Sequence, residues 1–228
     1  MQMMRKNDAW RVISVTHGRG SFPIVPNVLL PTSRHAEQTM AMPALEQRRW
    51  TAAEVQNLPE EPGKRFECVD GELLVSPSPA LAHQIALALL MTALNDYARQ
   101  GQRALILPAP LDYVLDTYTV VQPDITVVPT PAGRAPTRNE APEAAVLFVE
   151  ILSPSTARYD RVVKRRRYQR EGIEYWIVDV ESRLIERWLG GDERPEILTE
   201  QLGWQLSGHE AAFSLDVVDY FARVHGER

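Results

Sequence analysis

The run AAVLFVEIL, residues 144–152, constrains the fold more than any other stretch of the chain. It is too short for a typical helix and has no polar alternation, so it predicts a β-strand buried on both faces, with secondary structure packed above and below it. ALILP (104–108) and DITVV (124–128) read the same way, and LDYVL (111–115) is a more alternating companion. An acid interrupts two of these runs, Asp124 at the start of one and Glu150 near the end of the other. A carboxylate on a doubly covered strand is costly to bury unless an arginine or a metal ion pairs with it.

The remaining elements follow from local signals. RRWTAAEVQNLPEEPG predicts a short helix with Thr51 as N-cap and Glu54 completing a capping box. RFECVDGELLVSPSP predicts a hairpin turning at Asp70-Gly71, a dipeptide that supplies positive φ. From Ala80, ALAHQIALALLMTALNDYARQG has apolar residues at helical spacing and ends at Gly101, a natural C-cap. A basic helix follows SPST, then strands EYWIVDV and RLIERWL, a further strand in PEILTE, and a closing helix SLDVVDYFARV introduced by Ser214. The predicted order β-β-α-β-β-β-β-α-β-β-(β)-α describes an α/β protein, a mixed sheet with helices on its faces.

A chain of 228 residues accommodates one full hydrophobic core, assigned here to residues 43–228. Residues 1–42, with several prolines and no sustained periodicity, read as a weakly structured N-terminal extension, and Met40 is an expected natural start. The longest apolar run, residues 85–91, is far short of the roughly 20 needed to cross a bilayer, so no membrane partner is expected. The first residues lack the apolar core of a secretory signal, and the single cysteine, Cys68, excludes an internal disulfide; both fit a reducing cytoplasm. The net charge of −5 conceals a basic segment: between Arg158 and Glu171 seven basic residues face two acids. The arginine run 165–167 within it reads either as a solvated face or as a surface for phosphates.

If the DITVV and AAVLFVEIL strands are neighbours, Asp124 and Glu150 project from one edge of the sheet. Two carboxylates ~4–5 Å apart repel by several kcal/mol at an effective dielectric near 20, so one must be protonated or a cation must lie between them. Oxygen-only ligation favours Mg²⁺ or Mn²⁺, the layout for metal-assisted phosphodiester hydrolysis. Lys164, on the helix after SPST, is the group suited to assist water attack, and Asp160, Lys164 and Tyr168 form one i, i+4, i+8 row. His83, with no second histidine at ligand spacing, reads as a structural hydrogen bonder. Trp176, Trp188 and Trp204 read as core.

RFECVDGEL, the helix opening near His83, PDI, VEILSPST and YDRVVKRRRYQREGIEYWIVD together resemble the Uma-two family, restriction-endonuclease-like proteins within the PD-(D/E)XK nuclease superfamily. The resemblance runs from about Trp50 to Phe221 and implies a mixed central sheet flanked by helices. It also implies a Mg²⁺- or Mn²⁺-dependent endonuclease acting on DNA, and a homodimer. Asp124 matches the family's PD acid and Glu150 the acid of its E-x-L-S-P-S segment. Two residues after Glu150, where the wider superfamily has lysine, stands Leu152; the lysine corresponds instead to Lys164 on the next helix. Glu67 matches an N-terminal acid and serves as a further ligand, with Glu72 as its substitute. The implied catalytic set is Glu67, Asp124, Glu150 and Lys164, with the metal held by Glu67, Asp124 and Glu150. The alternatives are a non-catalytic nucleic-acid or protein-binding module that keeps the fold, and a structural dimer.

Overall fold

The structure is a computed structural model that describes residues 48–101, 104–130 and 144–227. The expected extension 1–42, the start near Met40 and residues 131–143 of the loop before the AAVLFVEIL strand lie outside the described residues. In chain order the elements are α1 (Ala52–Gln56), β1 (Lys64–Val69), β2 (Glu72–Pro77), α2 (Leu81–Gly101), β3 (Ala104–Pro108), β4 (Tyr113–Asp116), β5 (Thr119–Val121), β6 (Ile125–Pro129) and β7 (Leu147–Ile151). After them come α3 (Ala157–Tyr159), a π-helical turn Asp160–Lys164, α4 (Arg165–Arg170), β8 (Glu174–Asp179), β9 (Leu184–Trp188), β10 (Glu196–Leu198), β11 (Gln201–Trp204), β12 (Phe213–Asp216) and α5 (Val217–Val224).

The strands form more than the single sheet expected. A six-stranded mixed sheet has the order β10-β9-β8-β7-β6-β3, with β7 and β8 parallel and the other pairs antiparallel. A four-stranded antiparallel sheet, β2-β1-β5-β4, and a two-stranded ribbon, β11-β12, complete it. β6 and β7 are neighbours with Ile125 opposite Val149, so the acids one residue further out, Asp124 and Glu150, flank the same rung. Both strands are almost wholly buried, as their unbroken apolar sequences require. β3 differs: it is an edge strand with only Ile106 buried.

The two faces of β7 have separate cores. Leu147, Val149 and Ile151 pack with α2 (Leu87, Leu90, Leu94) and α5 (Val217, Phe221). Phe148, on the opposite face, packs with Tyr168 of α4, Tyr175 of β8, and Val69 and Val121 of the four-stranded sheet. Alternation along the strand puts Glu150 on this second face, beneath the helix after SPST. Trp176, Trp188 and Trp204 are buried as expected. The capping box holds: Thr51 Oγ1 accepts from the Glu54 N–H and Glu54 accepts from the Thr51 N–H. No helix among the described residues is long and apolar enough to cross a membrane.

Several boundaries depart from the sequence reading. β5 was not expected, because a strand of three residues between the turn at Asp116–Tyr118 and Pro123 is too short to show a period. β11 was not expected either, and the chain before the last helix is strand β12, paired with it; the helix starts at Val217 with Asp216, not Ser214, as its N-cap, the Asp216 carboxylate accepting from the Asp219 N–H at 2.8 Å. α2 extends through Gly101, so the expected cap geometry falls beyond the described residues.

The β1–β2 turn has φ +52° at Asp70 and +91° at Gly71, and a Cβ on Gly71 would meet Arg49 Nε at 2.9 Å. Gly71→Ala is therefore expected to cost about 1–2 kcal/mol and to lower Tm by roughly 2–4 °C per kcal/mol in calorimetry.

Candidate active site

Strand alternation places Arg65 and Glu67, two apart on β1, on one side of the four-stranded sheet. The start of β6 contributes Asp124, β7 contributes Glu150, the first turn of α2 contributes His83, and the π-helical turn contributes Asp160 and Lys164. All line one pocket of about 40 Å³, which holds a water-sized occupant or two. Except for Arg65, each is buried, none more than 7% exposed.

Lys164 is the centre. Its Nζ lies 2.8 Å from Glu67 Oε2, 2.8 Å from Glu150 Oε1 and 3.5 Å from Asp160 Oδ1. Asp124 is held independently: Oδ1 accepts from Arg65 at 2.9 Å, while Oδ2 accepts from the Ile151 N–H at 2.9 Å and from His83 Nε2 at 3.0 Å. Glu67 Oε1 accepts from the Gln122 N–H at 2.8 Å. Four carboxylates thus meet one ammonium and one guanidinium. A larger cleft of about 770 Å³ adjoins the pocket, shares Arg65 and Gln122 with it, and is floored by Leu58, Phe66 and Leu111.

The electrostatics follow. Burial pushes the Glu150 carboxyl well above the usual carboxylate range, and the charges of Asp160, Asp124 and Glu67 push the same way against the attraction of Lys164. Burial likewise raises Asp160, with Lys164 opposing. On Lys164 burial works to lower the pKa, but Glu150, Glu67 and Asp160 outweigh it and hold the ammonium protonated well above its ordinary range. Asp124 goes the other way: burial would raise it, but the hydrogen bonds from His83, Ile151 and Arg65 keep it low. One ammonium shared by three acids leaves the cluster short of positive charge.

The structure brings together all four residues of the expected catalytic set, Glu67, Asp124, Glu150 and Lys164. Glu72 is exposed near the hairpin turn, away from them. Lys164 stands between Glu67 and Glu150, while Asp124, the other acid of the expected pair, is met by Arg65 and His83. Among the described residues no group of three or more His, Cys, Asp and Glu side chains is arranged to hold a metal ion. The donor chemistry of Glu67, Asp124 and Glu150 is nevertheless of the kind a hard divalent ion takes, all oxygen and negatively charged overall. Sequence reasoning missed Arg65, whose spacing from Glu67 was the available signal. It read His83 as a structural hydrogen bonder, and the bond goes to Asp124. Tyr168 is a packed aromatic, edge-on to Phe148 and Tyr175, and its hydroxyl has no hydrogen-bond partner among the described residues.

Part of the basic run is turned inward or paired, while Arg158 and Arg166 are exposed. Arg167 is buried and pairs with Asp116, Glu171 and Asp70; Arg161 pairs with Asp179 and Glu186; Arg170 pairs with Asp70. Arg165 lies over the Trp188 ring, its guanidinium carbon 4.5 Å from the centroid.

Residues 52–217 match a family model, Uma2, described as "Putative restriction endonuclease". Among solved structures the chain is similar to a "putative nuclease belonging to DUF820" from Anabaena variabilis, with TM-score 0.63 and 20% identity, over 77% of this chain and 99% of that one. At that identity the likeness shows the fold, the restriction-endonuclease-like α/β architecture expected from the sequence. No curated protein matches.

Two variants test the charge balance in chelator. Lys164→Met leaves three buried acids unpaired and is expected to destabilise by about 3–5 kcal/mol in denaturant unfolding. Glu150→Gln is expected to raise Tm. The folded protein binds the Glu150 proton more tightly than the unfolded chain does, so the cost of the charged form is full above the raised folded value. That cost shrinks as pH falls toward the ordinary glutamate value of 4.5. The stability advantage of the variant should therefore be largest at neutral and alkaline pH and vanish near the ordinary glutamate range.

Proposed function

The chain belongs to the Uma2 family, and on that premise we propose that it is a divalent-cation-dependent endonuclease that hydrolyses DNA phosphodiesters. The observation that carries this reading is the Lys164 ammonium, 2.8 Å from both Glu67 and Glu150, in the pocket that also holds Asp124. Glu67, Asp124 and Glu150 are the residues that would hold Mg²⁺ or Mn²⁺. Such an ion, when bound, polarises the phosphodiester and lowers the pKa of a bound water.

The chain's own groups supply the rest. Lys164 has three N–H donors and offsets the negative charge that gathers on a phosphate under attack. Arg65 is the more exposed cation and borders the large cleft, where its remaining N–H donors orient an incoming phosphate. His83 and the Ile151 N–H hold Asp124 in one orientation and keep it ionised. The lysine on the helix after β7, rather than two residues beyond Glu150, gives the site an ammonium that enters from above the sheet. A homodimer is the assembly that brings two such sites to the two strands of a duplex, and the buried thiol of Cys68 suits a reducing cytoplasm.

One observation favours a second reading, a non-catalytic nucleic-acid or protein-binding module. The carboxylates are already paired internally by Lys164, Arg65 and His83.

Incubation of the purified protein with plasmid, single-stranded and branched DNA, in Mg²⁺, Mn²⁺ or chelator, separates the two readings. Cleavage is expected only with metal, and is expected to fall at least about a hundredfold in Asp124→Ala and Glu150→Ala. Binding without cleavage under every metal supports the module, and unchanged cleavage by both variants removes this site from consideration.

A further inference from the structure

Asp160 belongs to no assigned ligand set, yet it is among the most buried charged residues of the fold, 2% exposed, and it lines the pocket. Its Oδ1 has no hydrogen-bond partner among the described residues and lies 3.5 Å from Lys164 Nζ, beyond normal hydrogen-bond length. Buried polar atoms in folded proteins are almost always satisfied, so an unsatisfied carboxylate oxygen facing an ammonium calls for a reason. The backbone holds it there: Asp160 and Lys164 are the first and last residues of the π-helical turn, and the Asp160 carbonyl accepts from the Arg165 N–H and from the Tyr175 hydroxyl. Single π-helical turns within helices often mark functional positions.

We propose that Asp160 is a positioning residue that receives the Lys164 ammonium when a divalent cation takes Glu67 and Glu150. This rests on the cation in the reading above. Lys164 already uses donors on those two carboxylates, and a cation bound to the same oxygens repels the ammonium. Asp160 Oδ1 is the buried acceptor next to it, and a movement of less than an ångström brings it within hydrogen-bond reach. Lys164 then stays protonated inside the pocket, beside the substrate, instead of competing with the cation.

The chain has three lysines, at positions 6, 64 and 164, so the buried Lys164 ammonium is identifiable by NMR in protein labelled with ¹⁵N-lysine. Titration with Mg²⁺ is expected to shift that resonance in the unaltered protein and in Asp160→Glu, which keeps the carboxylate. Asp160→Asn is expected to require about tenfold more Mg²⁺, the scale of losing a supporting partner at a metal site. In Lys164→Met protein, with Mg²⁺ binding followed by calorimetry, adding Asp160→Asn should change the affinity no further. A further loss there makes Asp160 a direct ligand and overturns the proposal. So does an Asp160→Asn protein that titrates like the unaltered one, or an ammonium resonance that stays still while Mg²⁺ raises Tm. Absence of any Mg²⁺ binding removes the cation reading itself, and this one with it; normal binding with any of the other adverse results removes only the role of Asp160.

Discussion

One buried ammonium organises this molecule. Glu67 is on the four-stranded sheet and Glu150 on the six-stranded sheet, and two carboxylates from different sheets do not settle in a dry interior unless something positive stands between them. Lys164 does this, carried on a helix that begins a few residues after the Glu150 strand ends. The helix therefore has two roles: its aromatic row, Tyr168 against Phe148 and Tyr175, closes the second core, and one turn earlier it delivers the charge that lets acids line the same face.

The arrangement also explains why Asp124 behaves unlike its neighbours. Three donors from three elements converge on it: Arg65 from β1, His83 from α2 and the backbone of Ile151 at the end of β7. It is a fixed anion, whereas Glu150 and Asp160 share an insufficient cation. One carboxylate is thus locked in the charged form by fixed donors, while its neighbours share a single ammonium.

Much of this was legible in the sequence because it depended on short-range or strand-periodic signals. The unbroken apolar character of ITVV and AVLFV announced interior strands, and the acids at their ends share an edge only if those strands are neighbours; the observed pairing of Ile125 with Val149 makes them so. The capping box at Thr51 and the Asp70-Gly71 turn are local chemistry and held as read. What was not legible depended on partners far along the chain. Glu171 is a local partner of Arg167, but nothing near it indicates that Asp116 and Asp70, far earlier in the chain, also face it, so the arginine run looked like an open cationic face when part of it is turned inward. Strands β5 and β11 are too short to show a period, and β12 exists only because β11 pairs with it.

The tie between Arg167, Arg170 and the Asp70 turn has a consequence of its own. It is a second fastening between the lysine-bearing helix and the strand of Glu67, located at the far end of that strand, and Asp70 is about half exposed where the inner cluster is almost fully enclosed. Dissolved electrolyte screens contacts of the outer kind and hardly reaches the inner kind. Ionic strength therefore acts on the two fastenings unequally: concentrated salt loosens the rim of the helix while its core anchor persists, so the same scaffold is stiffer in dilute buffer than in brine without any change in the chemistry at its centre.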